Sequence, residues 1–226
     1  MYVADNARAP YGPQQPEEIN RYSHEITAAL LAAGAKMIVV ACNTATSLAI
    51  DDLRATYPNV PFVGLEPAIK PAATAGRVGV MATAATLASA RYQRLKQRYM
   101  PGVEVVEDAC RGLVTLIEQE PPDSPLVEDK VRQIVTPMLR AGVATIVLGC
   151  THYPIVEDIF RDALGPEVNV FSQPDLVAEA LADYLERRPE MKGPGQVSMF
   201  LTTADPGRVS DQATRFLRRR IDFHAA

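Results

Sequence analysis

What this chain has little of narrows the reading before any motif is named. No uninterrupted apolar stretch is long enough to span a bilayer, and the first residues carry no signal-peptide pattern. A cytoplasmic chain with no membrane partner is therefore expected. Positive charge is not in excess: 23 Lys and Arg against 27 Asp and Glu leave a net charge of −4, which gives nucleic acid no electrostatic footing. The basic run Arg218-Arg219-Arg220 is short and lies in a helical pattern, where a solvated face explains it. Cysteine is sparse, three in 226 residues, so free thiols in a reducing compartment are expected. A glycine-rich phosphate loop is missing, as is any close Cys or His pair with the spacing of structural zinc. The expectation is no cofactor and no metal.

What is present is the composition of a soluble protein, 47% apolar and 22% charged, long enough for one large or two small domains. Its most informative stretch runs from Ala33-Gly34 through Ile38-Val39-Val40 to Cys42-Asn43-Thr44, and it occurs twice. The second copy runs from Ala141-Gly142 through Ile146-Val147-Leu148 to Cys150-Thr151-His152, at one constant offset. The echo continues, one residue shorter, where Leu65-Glu66-Pro67 is answered by Ser172-Gln173-Pro174. A repeat of this length implies two related lobes. Each copy reads as an Ile/Val-rich strand buried on both faces, followed by a thiol and a helical pattern. Each thiol then stands at the carboxyl end of a parallel strand, where open α/β sheets bind ligands.

Strands alternate with helices along the rest of the chain, so the fold class is α/β: two pseudo-symmetric lobes, each a parallel sheet flanked by helices, with the active site in the cleft between them. The boundaries read as 1–70 plus 175–226 for the first lobe and 71–174 for the second. Pro16-Glu17-Glu18 starts a helix that Gly34 ends. One helix is expected from Thr86 through Arg98, a linker over Pro189–Gly195, a strand near Val197–Thr202 and a last helix over Pro206–Arg220.

A thiol at a helix start meets free N–H groups and the positive end of the helix dipole, both favouring thiolate. One such turn suits a nucleophilic enzyme, a redox sensor or a plain buried cysteine. Two in facing lobes suit removal of a proton from one face of a carbon and its return to the other. A zinc site built from Cys42, Cys150 and His152 is the inorganic alternative. Cys110 has no partner copy and reads as a core thiol, His24 as surface, and His224 as an idle tail residue. Asp5 and Arg8 read as a local pair.

The segments Cys42-Asn43-Thr44-Ala45, Gly149-Cys150-Thr151-His152-Tyr153-Pro154 and Asp5-Asn6-Ala7-Arg8-Ala9-Pro10-Tyr11-Gly12 resemble the cofactor-independent glutamate racemases. Their order and spacing match that family from Tyr2 to about Arg187. Thr-His after the second cysteine separates it from the similar aspartate racemases, which tend to carry an acidic residue there. The resemblance implies that Cys42 and Cys150 are the acid/base pair and that His152 assists Cys150. Tyr11, Gly12, Asn43, Thr44 and Thr151, with Thr86 a weaker member, would hold the amino acid. It implies glutamate as the small-molecule substrate, D-glutamate supply for peptidoglycan as the role, and a homodimer among the assemblies. The family opens with a strand and an Asp-Ser-Gly turn that do not occur in this sequence, so the first lobe is expected to lack a βα unit and expose an edge. An aspartate or other racemase of the superfamily, and a truncated inactive homologue, are the alternatives.

Overall fold

The computed structural model describes residues 1–73, 76–193 and 198–226. In chain order its elements are β1 (Tyr2–Ala4), α1 (Pro16–Ala32), β2 (Ile38–Val40), α2 (Asn43–Thr56), β3 (Phe62–Gly64), α3 (Ile69–Ala72), β4 (Arg77–Met81), α4 (Ala84–Ala88), α5 (Ala90–Tyr99) and β5 (Glu104–Asp108). There follow α6 (Leu113–Gln119), α7 (Pro125–Arg140), β6 (Thr145–Leu148), α8 (Glu157–Leu164), β7 (Asn169–Phe171), α9 (Pro174–Glu186), β8 (Phe200–Thr202), α10 (Pro206–Leu217) and β9 (His224–Ala225). Every strand pair is parallel. The chain is an α/β protein.

The sheet of β4 to β7 has the order β5-β4-β6-β7. Its two middle strands are fully covered: Val78, Val80, Met81, Ile146, Val147 and Leu148 are all 0% exposed. One face packs Met81, Ile146 and Leu148 against α6, α7 and α8, and the other packs Val78, Val80 and Val147 against Ile69, Tyr92 and Met100. The order in which strands are added reverses between β4 and β6, since β5 follows β4 outward on one side and β7 follows β6 on the other. Such a reversal marks the carboxyl ends of β4 and β6 as the place where sheets of this kind take ligands.

The remaining strands differ from expectation. Instead of one sheet they form two, β1-β8-β9 and β2-β3. The first repeated strand is also not buried on both faces. Ile38 is buried against Ala49, Ile50 and Leu53 of α2, whereas Val39, pointing to the opposite face, is 39% exposed.

Local chemistry sets most boundaries. Pro16 and two first-turn acids open α1, and Gly34, at φ 86°, takes the left-handed conformation just past its end. The single helix expected over 86–98 is two, because the Ser89 hydroxyl turns the chain by accepting from the Tyr92 N–H at 3.1 Å. Pro125 after the Ser124 cap starts α7, and Pro206 after the Asp205 cap starts α10. α10 ends at Leu217, short of the expected Arg220, as Arg218 turns left-handed and leads into β9. His224 therefore lies in a short strand beside Leu201. The expected linker and the start of the next strand fall partly on 194–197, outside the described residues. Among the described residues no helix is long and apolar enough to cross a membrane.

The echoed segments meet in space. The Gln173 side-chain amide donates to the Glu66 carbonyl, joining the two copies of the repeat. Gly149 lies under Pro67, and a Cβ there would come within 3.2 Å of the proline ring and 3.0 Å of the Met81 carbonyl. Only glycine allows that close approach just before Cys150.

Candidate active site

Cys42 follows β2 and caps α2. Its backbone is extended (φ −148°, ψ 125°), and its Sγ accepts from the Ala45 N–H at 3.5 Å. Burial pushes this thiol up to about 11. The N–H of Ala45 and the groups of Thr44 pull the other way, and the charge of Cys150 adds to the rise. The two sulfurs are therefore near enough for ionisation of one to oppose ionisation of the other.

Cys150 follows β6 through Gly149 and is 7% exposed. Its Sγ lies 3.9 Å from His152 Nδ1. The opposite ring nitrogen, Nε2, is 2.6 Å from Glu118 Oε1. Glu118 is in α6, 34 residues upstream. Burial lowers the tendency of His152 to be charged, but the sulfur of Cys150 and the carboxylate of Glu118 outweigh it and raise the imidazole to about 10. Glu118 moves the complementary way: burial would raise it, yet His152 and Gln212 hold it below the ordinary carboxylate value. Sulfur, imidazole and carboxylate thus follow one another beyond the carboxyl end of β6.

The other expected residues gather around the two thiols. Asn43 and Thr44 form the first turn of α2, and both are buried. Among the described residues neither the amide nitrogen nor the oxygen of Asn43 has a partner. A buried amide without partners is costly, and a polar ligand supplies what it lacks. The Thr44 hydroxyl is 2.8 Å from that of Thr83, at the carboxyl end of β4, so the turns after β2 and β4 touch. Gly12 packs on the same Thr83: a Cβ there would meet its Cγ2 at 3.1 Å. Tyr11 donates its hydroxyl to Asp5, which also pairs with Arg8 at 2.7 Å. Burial raises the Tyr11 phenol, followed by Asp5, with the charge of Cys42 adding to the rise.

Two expected residues stand differently. Thr86 is 0% exposed and its hydroxyl is spent on Thr83 at 3.0 Å and Thr44 at 3.4 Å, leaving Thr83 the more open member. Thr151 sits half-buried in the turn between Cys150 and His152. Away from the site, Cys110 is 3% exposed in the main core. His24 is less open than a surface reading expects, with its Nε2 2.7 Å from Asp52 and its ring beside Tyr57. Among the described residues no three His, Cys, Asp or Glu side chains cluster as a metal site.

Glu118, Thr83 and Tyr2 lie beside these residues and were not singled out by sequence reasoning. Tyr2 is 47% exposed as a residue, and its phenol is raised by burial of the hydroxyl end, then by the charges of Cys42 and Glu118. Glu118 ends an ordinary amphipathic helix, and nothing local distinguishes it from a solvated acid.

Known proteins resemble this chain in sequence and in overall shape. The family model described as Asp/Glu/hydantoin racemase matches residues 1–181. A glutamate racemase of Roseiflexus sp. (strain RS-1) is 42% identical over 217 residues, covering 93% of this chain and 80% of that protein. One from Cereibacter sphaeroides is 43% identical over 246 residues, covering 100% of this chain and 90% of that protein. Among solved structures, a glutamate racemase isoform from Bacillus anthracis superposes with a TM-score of 0.88 at 29% identity, over 100% of this chain and 86% of that one. The Escherichia coli glutamate racemase, solved with L-glutamate and the activator UDP-MurNAc-Ala, gives 0.82 at 28% identity over 98% and 85%.

Proposed function

The chain belongs to the Asp/Glu/hydantoin racemase family, and on that premise we propose that it interconverts L- and D-glutamate with Cys42 and Cys150 as its two acid/base groups. One observation carries the residue assignment. Two thiols end repeated strands, each at a strand-to-helix turn, within range of each other's charge.

At neutral pH the Cys42 thiol, pushed up to about 11, holds its proton and is the resting acid. His152, charged up to about pH 10, gives the Cys150 sulfur a cationic partner and suits it to be the resting base. For one enantiomer Cys150 takes the α-proton while Cys42 delivers one to the opposite face, and for the other enantiomer the roles reverse. The carbanion carries its charge into the substrate α-carboxylate. The N-terminus of α2 and the unpaired Asn43 amide suit that carboxylate. Thr44, Thr83, Tyr11, Gly12 and Thr151 line the rest of the binding site. In this reading β1, β2, β3, β8 and β9 belong to one lobe (1–70 plus 175–226) and the four-stranded sheet to the other (71–174), with substrate between. D-Glutamate made in the cytoplasm would supply peptidoglycan synthesis and so cell shape.

The test is α-proton exchange. In D2O, without pyridoxal phosphate and with EDTA present, the protein should wash out the α-proton of L-glutamate and form D-glutamate. Cys42→Ser and Cys150→Ser should each lose racemisation by about 10³-fold, within the range expected for one general acid/base. Each should keep exchange on only one enantiomer, a different one in the two variants. Racemisation retained by both would overturn the assignment.

A further inference from the structure

We propose that Gln212, on α10, is a positioning residue that holds Glu118 ionised and oriented, and so sets the state of the His152–Cys150 pair. The proposal rests on the reading of His152 as the partner of Cys150 given above.

The Glu118 carboxylate is held at both oxygens. Oε1 meets His152 Nε2 at 2.6 Å, and Oε2 accepts from the side-chain amide of Gln212. The same Gln212 nitrogen donates to the Glu118 carbonyl at 3.1 Å, and Arg215, one turn on, donates to that carbonyl at 3.0 Å. Residues three and four apart share a helix face, so α10 presents a polar stripe to the end of α6. A carboxylate clamped at both ends cannot rotate, and the imidazole it holds keeps Nδ1 toward the Cys150 sulfur.

What fixes Gln212 lies elsewhere in the fold. α10 is capped by Asp205, which accepts from the Arg208 N–H at 2.7 Å. Its Val209 packs with Ile221 and Phe223 against Ala4 and Phe200 of the β1-β8-β9 sheet. On another side Phe216 packs on the core of the four-stranded sheet. α10 therefore bridges the two regions, and Gln212 reaches from one to the acid of the other. The state of Glu118, and of the thiol beyond it, depends on α10 being docked.

The groups facing Glu118 are His152, Gln212, Arg208, Arg215 and the Tyr2 phenol, and Cys150 lies beyond the imidazole. Burial favours a neutral Glu118, and Gln212 is one of the donors that keep it charged. Gln212→Leu leaves Oε2 half-buried with no donor, so Glu118 should take up its proton at higher pH. Gln212→Lys supplies a charged donor and should move it the other way.

The chain has three histidines, so the His152 ring signals can be followed by NMR in the unliganded protein. Their low-pH inflection reports protonation of Glu118. Gln212→Leu should raise that inflection by about one pH unit, the size of one lost hydrogen bond to a charged group. Gln212→Lys should leave it at or below the wild-type value. Where the wild type racemises glutamate, the acid limb of kcat should follow the inflection while KM holds. A merely structural role would lower the melting temperature in both variants without splitting the inflections. Inflections that stay put, or move together, overturn the proposal. If the leucine variant does not fold, an inflection above wild type in the lysine variant has the same force. An inactive wild type whose inflections still split would remove the racemase reading and leave this one standing.

Discussion

Glu118→Gln changes one charge with almost no change in shape, which makes its consequence calculable. Glu118 and His152 lie 2.6 Å apart with side chains 29% and 27% exposed. His152 rises from 6.5 to about 10 through Cys150 and Glu118 together, against burial. If Glu118 supplies half the rise, its loss lowers the imidazole pKa by nearly two, or about 2 kcal/mol after allowing for partial solvent screening. The folded-state pKa of His152 lies above the unfolded one. Its contribution is therefore complete below pH 6.5 and lost as pH climbs through 10. Urea unfolding followed by far-UV circular dichroism at pH 6, 8 and 10 measures this, with reductant present throughout. Wild type should exceed the variant by about 2 kcal/mol at pH 6, by less at pH 8 and by almost nothing at pH 10. Raised thiols such as Cys42 also destabilise the fold at high pH, but they are common to both proteins and cancel. A gap that is constant, or widens with pH, would refute the ion-paired relay.

Two further outcomes test the binding site and the core. Asn43→Ala removes a buried amide that has no hydrogen-bond partner among the described residues. Its melting temperature should hold while KM for glutamate rises by about tenfold or more, the worth of one hydrogen bond to a charged group; unchanged KM would exclude Asn43 from binding. Gly79→Ala in β4 drives a methyl into Ile146, Met138 Sδ (2.9 Å) and Val143 Cγ1 (3.2 Å). Chemical denaturation should show a loss of about 1–3 kcal/mol, and a neutral result would contradict the packing of α7 on this sheet.

The alternation of strands and helices determined the α/β class, and the repeat put both cysteines on strand-to-helix turns. It could do so because strand burial and helix starts are written in adjacent residues: Ile146-Val147-Leu148 as an unbroken apolar run, Pro16-Glu17-Glu18 as a helix opening. Asn43 and Thr44 were legible as polar residues at a helix start, whereas Tyr11 and Gly12 were expected only through the resemblance to the glutamate racemases. Tertiary structure decided the rest. Glu118 comes to His152 only because α6 packs beside the β6 turn, and Gln212 comes to Glu118 from 94 residues further on. Thr83 displaces Thr86 as the open hydroxyl because the turn after β4 spends Thr86 inward. Val39 lies open where the same pattern in β6 is covered, since the helices packed around a strand, and not its own residues, determine how many of its faces are dry. Charge pairs across long separations leave no periodic trace in a sequence, so the second half of the site became visible only once the chain was folded.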